Sequence, residues 1–316
     1  MFGPEDYEGN LCAKVCRQEA DIVPAQNEQY ENFIVRYKQN INGLSEYQSD
    51  QTFQIINETF GILYVPEWQV QELEFSSFSY SSIPKCYTYM DLGGLRASGV
   101  TRLQDHPYLK LRGEGTMIAV IDSGIDYRLS VFQKNGRTRI SSIWDQTVEG
   151  RYSDRIPFGK EYTQAEINRA LTEPDPLAVI PSVDNNGHGT RLAAIAAGSM
   201  VPEENFSGAA PESDLIIIKL KPAKKYLRDF YLISENAEIF QEDDIMLGIS
   251  YALRCAGEKH MPLSICIGLG TNMGAHRGTG PLNEFIDSTA GFGQNAISIA
   301  AGNEGASRHH FMGRTE

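Results

Sequence analysis

The stretch D-N-N-G-H-G-T at residues 184–190 runs directly into R-L-A-A-I-A-A-G at residues 191–198. Small and aliphatic residues recur in the second part at helical spacing, which indicates a helix that packs deep in the protein. The glycines on either side of His188 let the backbone turn sharply. We therefore expect His188 at the N-terminus of a buried helix. Taken alone, the stretch favours the plainer interpretation of a core helix with one polar residue in its first turn.

Two further stretches are apolar strands that lead to a polar residue. T-M-I-A-V-I at residues 116–121 leads to Asp122, and I-S-I-A-A-G at residues 297–302 leads to Asn303. Open α/β sheets place their functional groups at the carboxyl ends of such strands. A carboxylate there can orient a histidine, and an amide can donate to a developing oxyanion. Together with His188, these residues indicate parts of a nucleophile–base–acid mechanism.

The blocks V-I-D-S-G-I-D, N-G-H-G-T-x-x-A-x-I-A-A-G and A-A-G-N-E-G occur in the order found in the subtilisin-like serine proteases, and the chain resembles that family. The resemblance implies an α/β fold with a doubly wound parallel sheet. It also implies that Asp122 is the orienting acid, His188 the general base and Asn303 the oxyanion donor. In this family one such donor is worth roughly 10²–10³ in turnover.

The block that carries the nucleophile of the family, G-T-S-x-A-x-P, does not occur in the 316 residues. Ser307 stands four residues after Asn303 in G-A-S-R-H-H, and we interpret it as a loop serine. We expect the catalytic domain to be C-terminally incomplete and the chain alone to be inactive. The alternative is a truncated or inactive pseudoprotease that binds a peptide or a partner protein.

The chain divides into three regions by composition and pattern. Residues 1–28 form a polar tail, residues 29–90 a small β-rich α+β unit, and residues 91–316 the subtilisin-like catalytic domain. The α+β unit resembles the pro-domain of the family, which implies that its last strand lies in the active-site cleft. Cleavage would then fall between Pro84 and Gly99. An N-terminal accessory domain is the alternative.

In the third region, apolar strands alternate with helical segments from Thr116 onward. This is the pattern of a parallel sheet that is covered on both faces. We interpret residues 133–183, which are rich in Gly, Asn, Pro and charged residues, as an elaborated surface insertion. We expect Asp243 and Asp244 to cap a helix.

The strand at residues 263–270 ends in Gly268, Leu269 and Gly270. In the family the corresponding segment is an edge strand that pairs with the substrate backbone. Glycine permits the close approach of a peptide, which makes such β-addition physically reasonable. We therefore expect these three residues to bind substrate, and an ordinary glycine-rich strand end is the alternative.

The composition argues against several classes of partner. A formal net charge of −13 disfavours nucleic acid and anionic membranes, because both attract basic patches. The sequence contains no run of about 18 apolar residues and therefore predicts no membrane span. The acidic N-terminus lacks the features of a signal peptide. We expect a cytoplasmic protein with reduced cysteines. We expect no metal or other cofactor, and a structural calcium ion has no support in the sequence.

Within the family, several segments resemble the clostridial Csp germination proteases. They are I-W-D-Q-T at residues 143–147, D-I-M-x-G-I-x-Y at residues 244–251 and S-I-C-I-G-L-G-T-N-M-G-A-H at residues 264–276. The resemblance implies a role in spores, where an active member cleaves the pro-form of a cortex-degrading hydrolase. Some relatives in this branch are inactive pseudoproteases, which is the alternative stated above.

Overall fold

The computed structural model describes residues 23–37, 52–70, 80–89, 100–104, 106–150, 156–204, 206–274, 277–291 and 293–302. In these ranges the helices are α1 (Val100–Gln104), α2 (Gln164–Ala170), α3 (Pro176–Val179), α4 (His188–Ala197), α5 (Lys225–Phe230), α6 (Glu242–Lys259) and α7 (Pro281–Ala290). The strands are β1 (Tyr30–Arg36), β2 (Phe53–Ile55), β3 (Phe60–Pro66), β4 (Cys86–Tyr89), β5 (Met117–Asp122), β6 (Gln133–Lys134), β7 (Arg137–Thr138), β8 (Ile140–Asp145), β9 (Lys160–Thr163), β10 (Asp214–Lys219), β11 (Phe240–Gln241), β12 (Leu263–Ile267), β13 (Leu269–Gly270) and β14 (Asn295–Ile299).

The first three strands form a small antiparallel sheet in the order β1-β3-β2. Its buried side chains, among them Ile34 and Phe60, belong to the same hydrophobic core as helices α6 and α7. The ring of Phe60 meets Phe285 of α7 edge to face, and Ser250 of α6 donates a hydrogen bond to the carbonyl of Ile56. The N-terminal sheet therefore packs on these two helices. The domain boundaries given above stay a prediction.

The centre of the protein is a six-stranded sheet in the order β14-β12-β5-β10-β8-β9. All neighbouring strands run parallel except β9, which pairs antiparallel with β8. Strand β5 lies between β12 and β10, and all six of its residues are buried. A strand that is buried on both faces needs the continuous apolar sequence found there. The predicted α/β fold with a doubly wound parallel sheet is confirmed.

Helices cover both faces of this sheet. On one face, Leu192 of α4 belongs to the same core cluster as Val120 of β5. On the other face, Ile249 of α6 clusters with Ile121. Successive residues of a strand point to opposite faces, so Val120 and Ile121 contribute to different cores. None of the helices in the described ranges combines the length and the apolar character that a membrane span requires.

The interpretation of residues 133–183 as a surface insertion is wrong for the part that forms β8. This strand is an inner strand of the six-stranded sheet, and all six of its residues are buried. Polar residues interrupt its apolar run and hide it in the sequence. The polar groups of its last two side chains bind partners elsewhere in the chain: Trp144 Nε1 donates to the carbonyl of Phe158, and Asp145 accepts a hydrogen bond from Ser182. Burial therefore does not leave these two side chains unsatisfied.

Helix α6 begins with three buried acidic residues, Glu242, Asp243 and Asp244. Gln241 occupies the N-cap without a side-chain capping bond, so the expected capping by Asp243 and Asp244 is wrong. The three carboxylates instead connect the helix to distant parts of the chain. Their partners are Lys85 N and Leu282 N for Glu242, Asn32 Nδ2 for Asp243 and Lys221 Nζ for Asp244.

Candidate active site

Asp122 and His188 meet at the carboxyl edge of the central sheet. Asp122 is the last residue of β5, and His188 is the first residue of α4. His188 Nδ1 lies 2.8 Å from Asp122 Oδ1, although 66 residues separate them in the chain. A carboxylate only accepts hydrogen bonds, so the neutral ring donates from Nδ1 and carries its lone pair on Nε2. In this tautomer the imidazole is able to take a proton from a nucleophile.

The two members of the pair differ in burial. The side chain of His188 is 17% exposed, whereas that of Asp122 is 1% exposed. Asp122 Oδ1 also accepts a hydrogen bond from the backbone N of Ser123 at 2.7 Å, and its Oδ2 has no hydrogen-bond partner among the described residues. Exclusion of water strengthens the interaction between the ring and the carboxylate. The histidine therefore stays accessible while the acid that orients it is shielded.

Two glycines allow α4 to start next to β5. Gly187, the N-cap of the helix, has a left-handed φ of 77°. A β-carbon on Gly189 would lie only 2.3 Å from the carbonyl oxygen of Gly124. Both a positive φ and so close an approach favour glycine. The glycines around His188 are thus required by the backbone geometry that brings the ring to Asp122.

A three-stranded sheet in the order β11-β4-β13 contains the predicted substrate-binding segment. Leu269 and Gly270 form β13, and they pair antiparallel with Tyr89 and Thr88 of β4. An extended strand from the N-terminal unit therefore lies along this edge. Gly268 directly precedes β13.

Gly268 connects this edge to the Asp–His pair. A β-carbon on Gly268 would lie 2.8 Å from Asp122 Oδ2 and 3.1 Å from His188 Cε1. The same atom would lie 2.6 Å from Leu192 Cδ2. Distances below 3.0 Å leave no room for a side chain. The main chain at Gly268 therefore approaches both members of the pair more closely than a side chain at this position would allow.

Strand β11 forms the other side of this sheet and is not predicted by the sequence. Its residues Phe240 and Gln241 pair antiparallel with Tyr87 and Cys86 of β4. Strand β4 thus pairs with β11 on one side and with β13 on the other, in the way that an extended peptide adds to the edge of a protein sheet. Two residues directly before a helix carry no periodic signal, so only tertiary pairing identifies them.

Cys266 lies on β12, which pairs with β5. Burial, and then the charge of Asp122, raise the pKa of the Cys266 thiol to about 11. The nucleophilic form of cysteine is the thiolate, which this environment disfavours at neutral pH. Cys266 is therefore a poor candidate for the nucleophile.

Several predicted residues lie outside the described part of the chain. They are Asn303, the predicted oxyanion donor, and Ser307, interpreted as a loop serine. The oxyanion role of Asn303 therefore stays a prediction. Within the described ranges, no group of three or more His, Cys, Asp or Glu side chains is placed to hold a metal ion.

The parallel α/β sheet, with an Asp–His pair at its carboxyl edge, defines the architecture of a subtilisin-like peptidase. Residues 113–310, more than half of the chain, match the model of the subtilase family. The chain belongs to the subtilase family. The resemblance inferred from the three sequence blocks is confirmed, and the protein is a subtilisin-like serine protease by family.

Solved and curated relatives agree with this assignment. The structure of the CspB protease of Clostridium perfringens matches with a TM-score of 0.55 and 29% identity, over 66% of this chain and 40% of that chain. The PII-type proteinase of Lactococcus lactis subsp. cremoris is 32% identical over 122 residues, which are 35% of this chain and 6% of the relative. Subtilisin-like protease SBT3.8 of Arabidopsis thaliana is 30% identical over 115 residues, or 31% of this chain and 14% of the relative. The chain thus spans less than half the length of these relatives.

Proposed function

We propose that the protein is a serine endopeptidase that hydrolyses peptide bonds of a protein substrate by acyl transfer. The observation that supports this most directly is the 2.8 Å contact between His188 Nδ1 and Asp122 Oδ1. The nucleophile is proposed to be a serine outside these 316 residues, since none of them stands in a G-T-S-x-A-x-P segment. For that reason we expect the chain alone to be inactive.

In the proposed reaction, His188 Nε2 takes the proton of the serine hydroxyl as the serine oxygen attacks the substrate carbonyl. Asp122 holds the ring in the required tautomer and stabilises the imidazolium that forms. Asn303 donates a hydrogen bond to the oxyanion of the tetrahedral intermediate. The imidazolium then gives its proton to the leaving amine, and a water molecule repeats the sequence on the acyl-enzyme.

The N-terminal unit is proposed to be a pro-domain whose last strand occupies the active-site cleft. The antiparallel pairing of β4 with both β11 and β13 supports this, because an extended substrate would add to the same edges. Tyr89 pairs with Leu269, and Leu269 follows Gly268, whose main chain closely approaches the Asp–His pair. We therefore propose that the bond cut during maturation follows Tyr89, within the predicted range from Pro84 to Gly99.

We further propose a spore-associated role in which the substrate is the pro-form of a cortex-degrading hydrolase. The support is the similarity to the CspB protease of Clostridium perfringens at 29% identity, together with the sequence segments shared with Csp proteases. A net charge of −13 disfavours nucleic acid or an anionic membrane as partner. Neither a cofactor nor a calcium ion is part of the proposal.

The test uses the gene region that encodes these residues together with any in-frame sequence beyond Glu316. We expect self-cleavage after Tyr89 and before Gly99, read by mass spectrometry of the new N-terminus. Asp122→Asn should lower kcat about 10⁴-fold, as when the acid of such a triad becomes an amide. His260→Asn is the matched control and should leave kcat unchanged. His260 is exposed at the end of α6 with φ 53°, which asparagine tolerates.

A pseudoprotease that binds a peptide or a partner protein is the second candidate. It is favoured by the edges at β11 and β13, which bind an extended strand without any nucleophile. If the full gene product has no serine in a G-T-S-like segment and stays uncut, hydrolysis by this mechanism is ruled out. Binding of extended peptides to β13 then becomes the activity to measure.

A further inference from the structure

Asp184 precedes His188 by four residues and holds the start of α4 from outside the helix. Its Oδ2 accepts hydrogen bonds from Thr190 N at 2.8 Å and from Thr190 Oγ1 at 2.6 Å. Its Oδ1 accepts from Gly187 N at 3.1 Å and from Ser123 Oγ at 2.8 Å. One carboxylate therefore joins the helix that carries the histidine to the turn that follows β5.

The hydroxyl of Ser123 stands between Asp184 and Asp122. Its oxygen accepts a hydrogen bond from Gly189 N at 3.0 Å. Its single proton has two acceptors in reach, Asp184 Oδ1 at 2.8 Å and Asp122 Oδ1 at 3.1 Å. A hydroxyl donates one proton, and the shorter distance directs it to Asp184. Asp122 Oδ1 is then left to two donors, His188 Nδ1 and the backbone N of Ser123.

Helix capping accounts for only part of this arrangement. Gly187 is the N-cap and has no side chain, so Asp184 supplies the acceptor that Thr190 N would otherwise lack. Capping of this kind needs no contact with Ser123. The bond from Ser123 Oγ has a separate consequence, because it decides how many donors share the oxygen that binds His188.

We propose that Asp184 is a positioning residue for the His188–Asp122 hydrogen bond, and that it acts by drawing the Ser123 hydroxyl proton away from Asp122 Oδ1. The inference rests on the proposed function, since the positioning matters for catalysis only if His188 is the general base. Asp184 touches neither the ring nor the substrate edge in this scheme. It acts through Ser123 alone.

The variant Asp184→Asn separates this role from capping. Its amide oxygen faces Thr190, which offers the two shorter donor contacts, so the amide NH₂ group faces Ser123 Oγ. Gly187 N loses its acceptor in this arrangement, and the added Ser123→Ala variant separates that loss from the effect through Ser123. Ser123 Oγ then accepts from that NH₂ group and turns its own proton to Asp122 Oδ1. Three donors now share one carboxylate oxygen, and the bond from His188 Nδ1 weakens.

The measurement is the ¹H NMR resonance of the His188 Nδ1 proton in the 316-residue chain, assigned by its loss in His188→Asn. A proton shared between an imidazole and a carboxylate resonates far downfield, and weakening the bond moves it upfield. We expect an upfield shift in Asp184→Asn and a return towards the original position in the double variant with Ser123→Ala. Asp175→Asn, which makes the same change at the exposed N-cap of α3, is the matched control and should leave the His188 resonance unchanged.

Each other outcome overturns the inference. An unchanged resonance in Asp184→Asn shows that Asp184 does not govern the bond. A shift that the added Ser123→Ala fails to reverse shows that capping alone is responsible. The resonance needs no turnover, so an inactive gene product would refute the proposed function without touching this result. Absence of the resonance in the unaltered chain would count against the Asp–His pair itself.

Discussion

Replacement of Lys224 by methionine tests how the N-terminal strands are held on the rest of the protein. Lys224 is 2% exposed, and its Nζ donates three hydrogen bonds. The acceptors are the carbonyl of Pro24 at 2.9 Å, the carbonyl of Tyr30 at 3.0 Å and Asn32 Oδ1 at 2.7 Å. All three precede β2, whereas Lys224 follows β10. A buried ammonium group therefore bridges the two parts of the protein.

The expected effect of Lys224→Met on the free energy of unfolding follows from the pKa of Lys224. Burial, and then the charge of Lys221, lower the pKa of Lys224 from 10.5 to about 7. Below pH 7 the side chain is charged in both the folded and the unfolded chain, so the folded chain bears the full penalty for burying the charge. Between the two pKa values the unfolded chain binds more protons, so the free energy of unfolding rises with pH. At about 1.4 kcal/mol per pKa unit, the whole shift corresponds to about 5 kcal/mol.

Methionine has a similar length but does not titrate. We therefore expect the free energy of unfolding of the unaltered chain, relative to Lys224→Met, to rise by about 3 kcal/mol between pH 7 and 9.5. Urea unfolding of both proteins at several pH values measures this difference. Burial raises the pKa values of Asp244 and Glu31 to about 7, and the charge of Lys224 lowers both values in the unaltered chain. Their titration near pH 7 therefore differs between the two proteins, and the upper end of the pH range reports the titration of Lys224 most directly.

Lys225→Met is the matched control, because Lys225 is the exposed neighbour and its ammonium group pairs with Asp229 one helical turn away. Its removal should leave the pH dependence of unfolding as it is in the unaltered chain. The reasoning is refuted if the difference between the unaltered chain and Lys224→Met stays constant over this pH range. Such a result would mean that the ammonium group keeps an ordinary pKa in spite of its burial.

Two glycine substitutions test packing at opposite extremes. Gly268→Ala places a β-carbon 2.6 Å from Leu192 Cδ2. We therefore expect urea titration to show a loss of about 1–3 kcal/mol in the free energy of unfolding. An unchanged free energy would contradict the close contact. Gly257 lies within α6, and the β-carbon added by Gly257→Ala has no atom within 4 Å. We therefore expect the free energy of unfolding to rise by about 0.5–1 kcal/mol. A lower melting temperature of the variant would contradict this expectation.

Local sequence predicts those parts of the fold whose burial is continuous. Strand β5 is apolar from Met117 to Ile121 because both of its faces are covered, and α4 has small residues because it packs closely on the sheet. The order of the sequence blocks then predicts the pairing of Asp122 with His188, which the contact at 2.8 Å matches. The burial patterns need no knowledge of distant contacts, because each element carries its own pattern. The pairing of Asp122 with His188 is instead what the resemblance to the family implies.

The tertiary structure alone decides where buried polar groups find partners. The sequence pattern does not reveal strand β8, because polar residues such as Asp145 interrupt its apolar run. Asp145 is buried nevertheless, since it accepts a hydrogen bond from Ser182, 37 residues away. The acidic start of α6 looks like a cap, but Asp243 binds Asn32, which is 211 residues away. Strand β11 exists only through its pairing with β4. Periodicity reports which face of an element is buried, whereas the partner of a buried polar atom depends on which distant segment packs against it.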